Sequence, residues 1–352
     1  PDPEILQAFL DATLPQHVID DLTALLEVVH GPIAVRSSSL LEDSHYQPFA
    51  GVYATYMIPK PNDRSQMMDL LRSAIKSVYA SVFYRDSKAY LTATQNLIDQ
   101  EKMAVVLQEV IGSPHTASVL VAGRGLQELT TFYPTLSGVG RSLNFYPIGE
   151  EKPEEGIVNL AFGLGKYLVD GGRTLRFSPA HPHHILQLSS PEYALRETQT
   201  RFAAPDLTNL PTDFCVDDRF NLLTLPVRSA NAHGTLQYVA STFEIDTETI
   251  LPGRTGPGRP ILAIDRILQA EVFPLAETIS ELLRIGSREM GRPVEIEFAM
   301  DIRPANDGTP PQAGFYLLQI RPIVDSNARV EEDVASIPDS DCLVKSTEML
   351  GN

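Results

Sequence analysis

The chain has 352 residues, with 28 Lys plus Arg against 45 Asp plus Glu and a formal net charge of −17. That length predicts about two domains with a core large enough to need no covalent staples, and the acidic balance argues against nucleic acid or an anionic membrane as partner. Two cysteines, Cys215 and Cys342, make neither a disulfide framework nor a zinc ribbon and suit a reducing, cytoplasmic setting.

No run of about 18 apolar residues marks a membrane span, and no basic-then-apolar leader marks a signal peptide. The opening Pro1-Asp2-Pro3 lacks an initiator Met and reads as the start of a piece of a longer protein. Residues 18–29 carry apolar side chains at helical spacing, and Gly31-Pro32 stops them. Ile33-Ala34-Val35 reads as a buried strand end running into Arg36 and three serines, and Ser39-Leu40-Leu41-Glu42 fits a capping box. Residues 65–83 are the clearest helix, with Met67, Leu71, Ile75, Val78 and Val82 on one stripe. Strands are expected at 103–110, 117–121, 130–133, 236–243 and 260–264. Residues 205–226 read as a loop or excursion, and 272–290 as a second helix capped by Gly291. From Asp325 the chain turns polar and acidic. Interleaved strands and helices argue an α/β or α+β architecture.

Residues 294–321 hold the most chemistry. Period two puts Val294, Ile296, Phe298 and Met300 on one face of a strand and Glu295 and Glu297 on the other. Downstream, the same period separates Tyr316, Leu318 and Ile320 from Phe315, Leu317, Gln319 and Arg321. A turn at Asn306-Asp307-Gly308 then sets Glu297 opposite Gln319 and Glu295 opposite Arg321. Two carboxylates, an amide and a guanidinium on one face could hold Mg²⁺ with phosphate oxygens. The same spacing also describes a solvated hairpin face on which Glu and Arg merely pair across strands.

Arg36 with its serines, and Gly51 with Thr55 beyond, could cradle a phosphate or form an ordinary Ser-rich loop. The stretch AFGLGKYLVDGGR (161–173) is neither a Walker A loop nor a full dinucleotide fingerprint, and a tight turn accounts for it as well as a ligand loop does. His181, His183 and His184 read as a surface cluster, and Cys215, in DFCVDD, is no nucleophile.

Taken in order, AVRSSSLLED (34–43), PFAGVYATY (48–56), MAVVLQEV (103–110), SGV (137–139), FGLGKYLVDGG (162–172), VEIEFAMDI (294–302) and LLQIRPI (317–323) resemble one family. It is the N-terminal nucleotide-binding region of pyruvate phosphate dikinase and phosphoenolpyruvate synthase. The resemblance implies an ATP-grasp fold, two lobes closing on Mg-ATP, and phosphoryl transfer to a histidine on a separate swivelling domain. It implies a first lobe over 1–102, a second over 103–325 and a tail or linker over 326–352.

By the same resemblance Arg36 contacts ATP phosphates, Gly51 and Thr55 belong to the loop over them, and Gln108 lines the adenine side. Glu295 faces the nucleotide and can join Glu297 as a metal ligand, while Gln319 and Arg321 form the Q-x-R pair with Arg321 on the phosphates. Arg36 and Arg321 would carry the catalysis. The departures are a missing upstream glycine-rich loop with its lysine, Leu91 where an arginine is usual (Arg85 and Lys88 stand nearby), and Lys166 where an acidic residue is frequent. The swivelling histidine segment and the phosphoenolpyruvate/pyruvate domain are also absent from these residues. A non-catalytic nucleotide-sensing or structural module of a larger protein is the alternative.

Overall fold

The computed structural model describes residues 1–39, 52–93, 101–121, 125–211, 213–254, 258–269, 272–304 and 310–323. Gly51, the turn at 306–308, the tail over 326–352 and all of the expected capping box except Ser39 lie outside the described residues.

The N-terminal part runs α1 (Asp2–Asp11), α2 (Gln16–Val28), β1 (Ile33–Ser39), β2 (Thr55–Ile58), α3 (Arg64–Ser81), α4 (Arg85–Ala93) and β3 (Met103–Glu109). β1 is the middle of an antiparallel sheet of order β2-β1-β3. The expected stripe makes α3: Met67, Leu71, Ile75 and Val78 pack with Ile33, Val35, Tyr56 and Ile58 in one buried cluster. Asp63 starts this helix, its carboxylate accepting from Ser65 N at 2.8 Å and Gln66 N at 3.4 Å. Because strand side chains alternate, the residues between the buried ones turn away from α3. Arg36 pairs with Thr55, and Ala34 pairs with Gln108 on the other side, so Arg36, Thr55 and Gln108 share the face opposite α3.

The remainder contains β4 (Ser113–Val121), β5 (Gly125–Tyr133), β6 (Leu136–Arg141), β7 (Ile157–Phe162), α5 (Lys166–Val169), β8 (Leu175–Phe177), α6 (Pro191–Glu197), β9 (Arg201–Pro205) and β10 (Leu222–Pro226). It continues with α7 (Leu236–Val239), β11 (Ser241–Glu244), β12 (Thr249–Leu251), β13 (Arg259–Ile261), α8 (Asp265–Leu268), α9 (Leu275–Met290), β14 (Val294–Arg303) and β15 (Gln312–Pro322). β4 and β5 form a two-stranded ribbon, and an antiparallel five-stranded sheet of order β15-β14-β6-β7-β8 is the centre of the larger core. One face of that sheet is apolar: Ile296, Phe298, Leu160 and Phe177 are buried with Leu275, Ile279 and Leu283 of α9. A Cβ at Gly138 would fall 2.3 Å from the Phe298 ring and 2.7 Å from Leu160, so only glycine lets these side chains meet over β6. The whole is a mixed α+β protein, and no helix among the described residues is long and apolar enough to cross a membrane.

Several elements differ from the sequence reading. Ser37–Ser39 form no loop: they extend β1, paired with Val105, Ala104 and Met103. The expected strand at 236–243 is α7 followed by β11, because a short buried apolar run fits either element and tertiary packing decides. Residues 260–264 hold only the end of β13, since Ile264 adopts φ 57° and opens α8. The helix expected from 272 begins at Leu275, because Pro274 bars the preceding residue from helical geometry. It ends on Gly291 at φ 65°, as expected. Met103–Glu109, placed by the sequence reading at the start of a second lobe, is paired along its full length with β1, so this strand belongs to the first sheet. Part of the 205–226 excursion is extended, as β10.

Candidate functional site

The polar face of the five-stranded sheet is built by β14 and its neighbours. Glu295 lies between Arg321 of β15 and Arg141 of β6, and Glu297 lies between Gln319 and Val139, which pairs onward with Asn159. The cross-strand partners expected for the two glutamates are therefore the observed ones. The expected period fails beyond them. The register shifts between Glu297 and Phe298, so Phe315 pairs with Met300, stacks 5.0 Å from Phe298 and joins the apolar side that it was expected to oppose.

Glu295 is 7% exposed and both of its oxygens are engaged. Oε2 accepts from Arg141 Nε at 2.6 Å, and Oε1 accepts from Arg321 Nε at 2.8 Å and from the same guanidinium's terminal nitrogen. Burial pushes this carboxyl up, but the charges of Arg321 and Arg141 and their hydrogen bonds outweigh it and hold it below the ordinary carboxylate range. Glu295 thus fixes the two guanidiniums and has no oxygen left over. Arg141 was not singled out by the sequence reading. Laying 136–141 beside 294–300 as a strand pair would have found it.

Arg36 reaches across from β1. Both of its terminal nitrogens donate to Glu297 Oε2 at 3.2 Å, and one donates to Gln319 Oε1 at 3.3 Å. Nearby, Gln108 Nε2 donates to the carbonyl of Leu318 at 3.4 Å. Arg36, Gln108, Glu295, Glu297, Gln319 and Arg321, spread over nearly three hundred positions of sequence, therefore line two facing sheets. Thr55, paired with Arg36, directs its backbone N–H to Asp218 Oδ2 at 2.9 Å, and Lys166 Nζ lies 3.3 Å from the same oxygen. Lys166 stands in the glycine loop that the sequence offered as a possible ligand loop, whereas Asp218 was missed, and no local pattern could have shown it.

Residues 2–341 match the family described as pyruvate phosphate dikinase, AMP/ATP-binding domain. The chain belongs to that family. No curated protein matches it. This dikinase-family domain is thus an ATP-binding domain of a kinase-type enzyme family.

The remaining sequence-predicted positions in the domain are less central. Leu91 is buried with Tyr53 and Val82, while Arg85 and Lys88 are exposed on α4. His181 bonds Glu155 at 3.0 Å, and its ring stacks 5.8 Å from His184. Among the described residues no group of three or more His, Cys, Asp or Glu side chains could hold a metal by itself. A Mg²⁺ ion that takes one or two carboxylates and completes its shell with water and phosphate asks for less, and the part-buried carboxylate of Glu297, whose Oε2 is shared with Arg36, suits that donor set.

Proposed function

We propose that this domain is an ATP-grasp module. It binds Mg-ATP between the β2-β1-β3 sheet and the polar face of the five-stranded sheet, and it activates a phosphoryl group for transfer to a histidine on a separate swivelling domain. The observation that carries this reading is the reach of Arg36 from the first sheet to Glu297 and Gln319 on the second. Such a bridge puts a guanidinium, a carboxylate and an amide from two bodies around one space, the arrangement that positions and neutralises a polyphosphate.

In this mechanism Arg36 and Arg321 hold phosphate oxygens and stabilise charge on the transferring group. Arg321 is oriented by Glu295, which in turn is held by Arg141, so its planar fork is aimed before substrate arrives. Glu297 would hold Mg²⁺, whose charge would neutralise the phosphates. Gln319 keeps Arg36 in line. Gln108 lines the adenine side, and Val106, on the same face of β3 and 44% exposed, offers the base an apolar surface. Gly51 and Thr55 belong to the loop over the phosphates. The chain acts in the cytoplasm, with neither nucleic acid nor membrane as partner, beside a phosphohistidine domain and a phosphoenolpyruvate/pyruvate domain of its parent protein.

The test is calorimetric titration with Mg-ATP, repeated without Mg²⁺ and with Arg321→Ala. Saturable binding that needs Mg²⁺ and weakens in the variant is expected. In a phosphoryl-transfer assay with the histidine-bearing domain, Arg36→Ala and Arg321→Ala should each lower the rate about 10²-fold or more. Equal rates in wild type and variants would remove the two arginines from the mechanism. Binding with no transfer to that domain would assign the chain to nucleotide sensing.

A further inference from the structure

The excursion between β9 and β10 leaves the larger core and docks on the first sheet. Phe214 and Phe220 pack 5.2 Å apart and flank Tyr56 of β2, at 5.5 and 5.8 Å between ring centroids. Asn221 Nδ2 donates to Met57 O at 3.0 Å, and Tyr56 Oη donates to Cys215 O at 3.3 Å. This clasp delivers the carboxylate of Asp218 to two donors far apart in the chain: Thr55 N at 2.9 Å and Lys166 Nζ at 3.3 Å, both on Oδ2. The side chains of Lys166 and Asp218 are 13% and 19% exposed, so their pairing is sheltered but reachable.

A backbone N–H and an ammonium converging on one anionic oxygen are the donors that hold a phosphate oxygen. Their position points the same way. Thr55 is the cross-strand partner of Arg36. Lys166 follows the turn at Gly163 and Gly165, which is anchored by Ser137 Oγ donating to Gly163 O at 2.8 Å. Ser137 lies on β6 two residues before Val139, the partner of Glu297. The two donors therefore adjoin the Arg36–Glu297 bridge.

We propose that Asp218 is a resident anion of the nucleotide cleft: with Thr55, already assigned to the loop over the phosphates, and Lys166 as its donors, its Oδ2 occupies the place of a phosphate oxygen and is displaced when a nucleotide polyphosphate binds. This rests on the reading that the cleft takes ATP. The displacement needs only rotation of one side chain, because the clasp is made by Phe214, Phe220 and Asn221 and stays closed without Asp218. Lys166 stays oriented by its second partner, Asp170 Oδ1 at 3.4 Å.

The experiment compares the wild-type chain, Asp218→Asn, Lys166→Met and the double variant by calorimetry with Mg-ATP and with inorganic pyrophosphate. Thermal unfolding confirms that each is folded, and Asp218→Ser repeats the removal of charge with a side chain too short to reach Lys166. Asp218→Asn should bind Mg-ATP about tenfold more tightly, because a neutral amide competes poorly for an ammonium. Lys166→Met should bind about tenfold more weakly, and adding Asp218→Asn to it should recover little, since both changes act on one contact. Tighter binding by the Asp218 variants, including binding they show when wild type shows none, supports the proposal. Wild type that binds Mg-ATP while the Asp218 variants bind no tighter overturns the displaced anion and leaves the nucleotide reading standing. Absence of ATP binding in wild type and Asp218 variants alike overturns both.

Discussion

Glu295 sits between two guanidiniums with little water to screen it, and its carboxyl is held below the ordinary range by their charge. Breaking such a cluster from one side removes the counter-charge that two part-buried guanidiniums share. Glu295→Gln should therefore cost about 3 kcal/mol in urea unfolding at neutral pH. A group whose folded pKa is lowered stabilises the fold above its unfolded value, near 4.5, and loses that contribution as pH falls through the folded value. Acid unfolding below pH 4.5 should accordingly be less steep in Glu295→Gln than in wild type.

A second residue works in the same direction at milder acidity. His115 packs 4.7 Å from the ring of His233 and 4.5 Å from Tyr133, and burial, with the His233 charge second, pushes it from 6.5 down to about 4. The unfolded chain binds a proton there that the folded chain refuses, so stability is complete above pH 6.5 and declines toward pH 4, by up to ~3 kcal/mol. His115→Phe keeps the stack and removes the proton, so it should flatten the unfolding profile between those limits. An unchanged profile would place the titration elsewhere.

At the scale of elements, the sheet and α9 depend on glycines where β6 crosses under Phe298. The space at Gly138 is already filled by the Phe298 ring and Leu160, and neither has room to move in a close-packed core. Gly138→Ala should destabilise the chain by at least 1–3 kcal/mol, the usual cost of overpacking, roughly. Phe298→Leu in the same chain should recover part of that loss. The β14–β15 pairing was legible in sequence as far as Glu297, because period two and a turn signal determine a hairpin. The shift beyond it was not, since an irregularity at one residue has no signature in apolar pattern and shows only in where Phe315 packs. The same limit explains α7: a short apolar run such as Leu236, Tyr238 and Val239 fits a strand or a helix, and only the surrounding core selects the helix.

At the scale of the molecule, the two sheets meet through Arg36 and Gln108, and the clasp around Tyr56 ties the first sheet to the segment between β9 and β10. A ligand held by both sheets stabilises both. Mg-ATP at ~100 times its dissociation constant should raise the unfolding free energy by ~2.7 kcal/mol, with the whole transition moving together. Two transitions, of which one alone moves, would place the ligand on a single sheet.

The identity of the helices α3 and α9, the cap at Gly291, and the alternation that puts Glu295 and Glu297 on one side of β14 were determined by the sequence itself, because each follows from local periodicity and steric rules. The order of the family's motifs lies at the same level. The tertiary structure alone decided that β3 returns to pair with β1, that Arg141 shares Glu295 with Arg321, and that Asp218 lies against Thr55 and Lys166. Apart from the Glu295–Arg321 hairpin pair, those contacts join residues 52 to 163 positions apart, whose meeting is set by packing of whole sheets and by aromatic docking, terms that no local window of sequence contains.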